Sequence, residues 1–157
     1  MDKYKQMTID SVTGLAYSLS TVGGITTATI TSLGSYSSSD LIIPPTVGGH
    51  PVVAIGNYAF FLKSQLISVL IPASVTSIGK GAFENCSNLI SVTFLGDAPT
   101  VGQNIFGVVS VVTTIIYYTS GKTGWGTTFA DRFTAPAPVA APPALPVKHN
   151  YSIYFRK

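Results

Sequence analysis

Charge is scarce in this chain of 157 residues: only 10% are Asp, Glu, Lys or Arg, against about 25% in ordinary soluble domains. The bases Lys3, Lys5, Lys63, Lys80, Lys122, Arg132, Lys148, Arg156 and Lys157 are scattered, and the net charge is only +3. A nucleic-acid binder needs a clustered basic stripe, so no nucleic acid is expected as a partner. Cysteine is reduced to Cys86, which excludes an intramolecular disulfide framework and a multi-cysteine metal site. No apolar run matches the ~20 residues of a membrane helix. The nearest candidate, residues 105–118, is broken by Gly107, Ser110, Thr113 and Thr114, so no membrane insertion is expected. Met1-Asp2-Lys3-Tyr4-Lys5-Gln6-Met7 lacks the apolar core of a secretory signal.

Catalytic groups are equally sparse. The acids Asp2, Asp10, Asp40, Glu84, Asp97 and Asp131 form no close pair suited to general acid and base work. His50 falls in a turn and His149 in the tail, and no Gly-x-Ser-x-Gly elbow is present. Gly121-Lys122-Thr123 has the ending of a phosphate loop. The glycine required five positions earlier is replaced by Ile116, and no helical pattern follows. A metal site would need Cys86, His50 and a distant carboxylate, without any of the usual spacings. The expectation is therefore no enzyme, no catalytic residue, no metal and no cofactor.

What is abundant is hydrophobicity, at 46%, diluted by Ser, Thr and Gly rather than by charge. Hydroxyls and glycines suit strands and tight turns, so the composition reads as all-β; disorder of the whole chain needs the opposite balance. An internal period organises it. Ile55-Gly56-Asn57-Tyr58-Ala59-Phe60 returns 23 residues later as Ile78-Gly79-Lys80-Gly81-Ala82-Phe83, and again as Val101-Gly102 with Phe106. A unit this short cannot bury its own apolar face and must stack on copies of itself. At this step Leu66, Leu89 and Val112 share one column, Val69, Val92 and Ile115 the next, and Ile71, Phe94 and Tyr117 the third. The pattern apolar-x-x-apolar-x-apolar predicts one short strand per unit, with alternate side chains inward. Leu41 and Ile43 fit the same columns if five residues are inserted within 45–52, where His50 lies. Gly56, Gly79 and Gly102 mark a place needing positive φ or close backbone approach. Phe60, Phe83 and Phe106 are expected to stack inside the coil.

The strand pattern resembles leucine-rich repeats, whose periods run from about 20 to 29 residues. More narrowly, Ile71-Pro72, Val75-Thr76-Ser77-Ile78-Gly79, Ala82-Phe83, Cys86 and Leu89-Ile90-Ser91-Val92 resemble the BspA-like subfamily of bacterial leucine-rich repeats. The resemblance covers residues 41–134, about 60% of the chain. Lys63 and Val109 stand where that family often has Cys, so no cysteine ladder forms and Cys86 reads as a small buried hydrophobe. The resemblance implies adhesion to host proteins or other cells, but recognition in the family follows no fixed motif from which residues could be carried over.

The expected fold is mainly β: a short leucine-rich-repeat solenoid with an N-terminal hairpin cap, a C-terminal cap and an extended tail. The expected segments are 1–40 for the cap, 41–117 for the repeats, 118–134 for the C-terminal cap and 135–157 for a Pro-rich arm with a terminal strand. Residues 17–31 alternate across Gly23-Gly24, as a hairpin does. Trp125, in a Tyr-Tyr then Gly-x-x-Gly-Trp segment like those that close BspA-like arrays, is expected over the last coil. Residues 135–147 alternate proline with Ala, Val and Leu, a spacer reaching up to about 40 Å. After it, Tyr151, Ile153 and Phe155 form an alternating, strand-like ending suited to strand addition on a neighbouring subunit.

Outward positions on the repeat strands make the candidate protein-binding surface on the concave sheet. They are Asp40, Ser68, Ser91 and Thr114 in one row and Ile42, Leu70, Thr93 and Ile116 in the next. Two functions follow from the sequence. One is a non-catalytic protein-interaction or adhesion module, extracellular or on a cell or particle surface, with a host protein as partner. The alternative is a structural subunit of a filament, sheath or virion, a homo-oligomer joined to neighbouring subunits through the C-terminal arm.

Overall fold

The computed structural model describes residues 8–107 and 114–138, and within them every regular element is a strand. The chain opens with β1 (Thr8–Ile9) and a long hairpin of β2 (Ala16–Val22) and β3 (Ile25–Ser32), then passes to β4 (Asp40–Ile42). A second hairpin, β5 (Thr46–Val47) and β6 (His50–Ile55), precedes β7 (Ser68–Ile71), β8 (Ser77–Ile78), β9 (Ser91–Phe94) and β10 (Thr100–Val101). Beyond these lie β11 (Ile115–Tyr118), β12 (Thr128–Phe129) and β13 (Arg132–Pro136). The strands fall into two sheets. Sheet 1 runs β1-β2-β3-β6-β8-β10, with β5 beside β6; sheet 2 runs β12-β13-β11-β9-β7-β4. From β4 to β11 the chain alternates between them and winds a β-solenoid of about four turns, the architecture that the repeat predicts.

Register shows how the repeat is built. Ser68 to Ile71 pair in parallel with Ser91 to Phe94, a step of 23. Asp40 pairs with Ser68, a step of 28, and the extra five residues are accommodated by the β5/β6 hairpin, within the predicted insertion. The next step differs from expectation. Ser91 pairs with Ile115 and Val92 with Ile116, a step of 24. One added residue reverses which side chains point inward. Ile116 is therefore fully buried and Thr114 is buried with it, its hydroxyl donating to Leu89 O at 2.7 Å. Ile115 and Tyr117, assigned to inward columns from the 23-residue step, lie on the outward parity and are partly exposed. Val112 lies outside the described residues.

The core is aliphatic with one aromatic column. Phe60 stacks on Phe83 at 5.1 Å and 22°, and Phe83 on Phe106 at 5.8 Å and 19°. The glycine column serves close approach rather than positive φ. A Cβ at Gly102 would collide with the backbone of Lys80, and one at Gly79 with Asn57. Left-handed backbone recurs two residues later, at Tyr58, Gly81 and Asn104, with φ between 53° and 59°. Each of those residues starts the turn that drives the phenylalanine inward. Cys86 is buried beside this column; its thiol contacts Phe60 O at 3.1 Å, and burial pushes its pKa up to about 11. An un-ionised, buried thiol of this kind behaves as the small hydrophobe that the sequence predicts.

The two ends are closed differently. At the N-terminal end Gly23 and Gly24, both with positive φ, turn the hairpin, and β3 continues sheet 1 by pairing in parallel with β6. Leu15, Tyr17, Ile30 and Leu33 are buried beneath it. At the C-terminal end the chain leaves β11, turns at residues 119–127 and returns as β12 and β13, with β13 parallel to β11. Trp125 stacks on Tyr118 (5.2 Å, 8°), meets Phe94 and Phe129 at 5.0 and 4.9 Å, and donates its indole N–H to Gly96 O at 3.2 Å. β13 runs through Ala135 and Pro136, two residues into the segment assigned to the arm. Tyr151, Ile153 and Phe155 lie outside the described residues.

Candidate functional site

The outward face of sheet 2 is assembled from one or two residues of each strand. Its first row runs Asp40, Ser68, Ser91 and Ile115 across β4, β7, β9 and β11. Phe133 continues it on β13, one residue back from the pairing of Ile116 with Thr134. The second row runs Ile42, Leu70, Thr93, Tyr117 and Ala135. Of the predicted surface residues, the structure brings Asp40, Ile42, Ser68, Leu70, Ser91 and Thr93 together. Thr114 and Ile116 are removed from the face by the 24-residue step. Ile115, Tyr117, Phe133 and Ala135 take their place, and sequence reasoning missed all four. The signal was present as Ile115-Ile116-Tyr117-Tyr118, a run of four apolar residues in which either parity can face the core.

The face changes character along its length. At the β4 end Ser68 donates to the Asp40 carboxylate at 2.6 Å, making a small polar patch. At the β13 end Phe133 is 68% exposed beside the half-buried Ile115 and Tyr117. Ile67 and Ile90, just before β7 and β9, are 42% and 55% exposed. Exposed apolar side chains mark contact surfaces when they form a contiguous patch, which makes this face the candidate site. Asp40 is the one charged residue in either row.

Two carboxylates lie at loops rather than on this face, and both act structurally. Asp10 accepts from Thr13 N (2.7 Å), the Thr13 hydroxyl (2.9 Å), Val12 N (3.1 Å) and Gly48 N (3.1 Å), tying the N-terminal turn to the β5/β6 hairpin. Partial desolvation pushes its pKa up, and the bonds from Thr13, Gly48 and Val12 together outweigh this and hold it below the ordinary value of 3.8. Asp97 accepts from Thr123 N at 2.7 Å, and that bond lowers its pKa too. Among the described residues no group of three or more His, Cys, Asp or Glu side chains could hold a metal ion. No helix there is long and apolar enough to cross a membrane.

The family match agrees with this geometry. The BspA type leucine rich repeat region, in 6 copies, matches residues 24–130. The chain belongs to the BspA-type leucine-rich repeat family. No curated protein matches it. A leucine rich cell surface protein from Faecalibacterium prausnitzii A2-165 is 27% identical at a TM-score of 0.50, over 75% of this chain and 34% of that one. A leucine-rich repeat protein from Bacteroides capillosus ATCC 29799 is 26% identical at a TM-score of 0.46, over 69% of this chain and 70% of that one. This BspA-type chain thus spans about a third of the Faecalibacterium protein. BspA-type repeats are scaffolds for protein interaction. The family match ends at residue 130, before β13 and Phe133.

Proposed function

We propose that this BspA-type chain is a non-catalytic protein-binding module that acts in adhesion at a bacterial cell surface, with the outward rows of sheet 2 as its contact face. The observation that carries the reading is the nearly charge-free row ending at Phe133, 68% exposed on a paired strand. Aromatic side chains supply central anchors of protein interfaces, while Lys, Glu and Asp are depleted there. A surface location is supported by the cell surface protein of Faecalibacterium prausnitzii. Beads coated with the protein should adhere to host cells. The doubly substituted Leu70→Asp, Phe133→Asp protein, folded by circular dichroism, should lose at least about tenfold in adherence, because both residues sit in the face. Equal adherence of the two proteins would overturn the reading.

A second reading, a structural subunit joined through its terminal strand, is favoured by a separate observation. The last coil leaves its rim on the sheet 1 side uncovered by any strand among the described residues. Residues Tyr151, Ile153 and Phe155 would be the donors. Deleting 139–157, which spares β13, should convert polymers to monomers on size-exclusion chromatography; an unchanged elution profile sinks this reading.

A further inference from the structure

The hydrogen-bond ladder of the coils can be extended past its last rung. Tyr58 N–H donates to Lys80 O (2.9 Å), and one coil later Gly81 N–H donates to Gln103 O (3.0 Å). Phe60 N–H donates to Ala82 O (2.8 Å), and Phe83 N–H to Ile105 O (2.7 Å). The next donors in these two series are the amides of Asn104 and Phe106. On the strand side Gly79 N–H donates to Ile55 O and Gly102 N–H to Ile78 O, each at 2.8 Å, so the next acceptor is Val101 O. None of the three meets a further coil among the described residues, because β10 is the last strand of sheet 1.

The C-terminal cap explains why. After β11 a further coil would return to sheet 1 beside β10. Instead Thr123 pairs back to Ala98 and Asp97, Trp125 seals against Phe94, and the chain turns into β12. Sheet 2 thereby gains β13 and β12, and sheet 1 gains no strand among the described residues. The step leaves a notch of about 380 Å³, with residues 101–107 as its floor and Ala130, Asp131 and Arg132 as its wall. It offers donors and an acceptor at the spacing of a repeat coil, above the apolar Val101, Ile105 and Phe106. A backbone strand would satisfy that pattern.

We infer that this notch is the acceptor for an extended strand, residues 150–155, of a second copy of the chain. The inference rests on the assembly reading above and names its socket. Nineteen residues follow Pro138, and the alternating segment containing Tyr151, Ile153 and Phe155 has neither glycine nor proline to interrupt a ladder. Direction selects the neighbour over the same molecule. β13 starts at the notch with Arg132 and runs about 17 Å away from it at ~3.3 Å per residue. By composition the proline-rich sequence that follows its far end is expected to be a stiff spacer with a reach of up to about 40 Å. The chain's own notch lies behind this exit, whereas a neighbour's can lie in front. Such a head-to-tail contact is heterologous and builds rings or open polymers.

Cysteine cross-linking of the full-length protein tests this. Gln103→Cys is combined, one at a time, with Tyr151→Cys, Ser152→Cys, Ile153→Cys or Tyr154→Cys, with the buried Cys86 left in place. Mild oxidation should produce a ladder of dimers and higher species on a non-reducing gel, strongest for one of the four positions. A cross-link confined to single chains would overturn the choice of a second copy. Polymers that persist in solution without any cross-link would remove the notch and leave the assembly reading standing. Monomers without any cross-link would remove both.

Discussion

The two ends of the array solve the same problem with opposite sheets. At the N-terminal end a strand, β3, extends sheet 1, and the exposed edge of sheet 2 is managed by side chains. The Tyr36 hydroxyl donates to Asp40 O, and Ser38 Oγ accepts from Asp40 N. At the C-terminal end β13 and β12 extend sheet 2, and among the described residues sheet 1 stops at β10. An open sheet edge invites pairing with another chain. Among the described residues one end covers its edge with side-chain bonds and the other has no further strand beside β10. The side chains do not follow this asymmetry: Ile9, Val12, Val22 and Ile25 stand 53%, 91%, 77% and 67% exposed at the first end, and Phe133 and Val101 68% and 40% at the second. The difference between the ends lies in which sheet each closing strand extends.

The sharpest way to break the comparison is at the register of the closing coil. Ile116→Asp should abolish folding of the C-terminal coils, because an isolated carboxylate at this fully buried position, opposite Val92, costs at least about 4 kcal/mol. Ile115→Asp, one residue away on the outward parity, should cost under about 1 kcal/mol. Urea melts of the two variants would decide, and equal loss would mean that the 24-residue step is wrong. Next in size is the aromatic column. Phe83→Ala removes a ring packed on both faces and should cost about 3–5 kcal/mol. Phe106→Ala removes a ring that stacks on Phe83 alone, with the Arg132 guanidinium 5.8 Å from its centroid, and should cost less. A smaller loss again, about 1–3 kcal/mol, is expected for Trp125→Ala. Its effect on amide exchange should be confined to residues around Phe94 and Phe129, leaving the N-terminal hairpin protected.

Most of the solenoid could be read in the chain because a repeat states its own alignment. The second coil, with Ile71-Pro72, Ile78-Gly79 and Ala82-Phe83 in place, fixes register, turn and core together. The β5/β6 insertion was legible for the same reason: Leu41 and Ile43 needed five residues of slack, and Gly48-Gly49 could turn them back. The third step was not legible. Ile115-Ile116-Tyr117-Tyr118 is apolar at both parities, so hydrophobicity alone could not detect one added residue. The candidate face inherited that error at Thr114 and Ile116. β13 was hidden by its composition, since Ala135-Pro136 reads as the start of a proline-rich spacer. Proline is tolerated there because Pro136 ends an outer strand, where its missing N–H removes no inward bond.

Acid should loosen both ends before the middle, through the two carboxylates that fasten them. Asp10 holds the β5/β6 hairpin through Gly48 N, and Asp97 holds the cap through Thr123 N. Both pKa values lie below the ordinary 3.8 in the folded chain. A depressed carboxyl contributes stability that is fully present above the unfolded value and is lost as pH falls through the folded one. At pH 5 to 7 both latches should therefore be closed, and below about pH 4 they should weaken progressively. Both groups are largely solvated, so the effect on global stability is small and is best read locally. Hydrogen exchange at the Gly48 and Thr123 amides should accelerate as acid protonates the latches, after correction for the intrinsic pH dependence of exchange. Protection of the Phe83 amide should stay constant over the same range. In Asp10→Asn the acid-induced change at Gly48 should vanish while that at Thr123 persists. A change at Gly48 that survives this substitution would mean that Asp10 does not hold the N-terminal end, and that the two ends are not fastened alike.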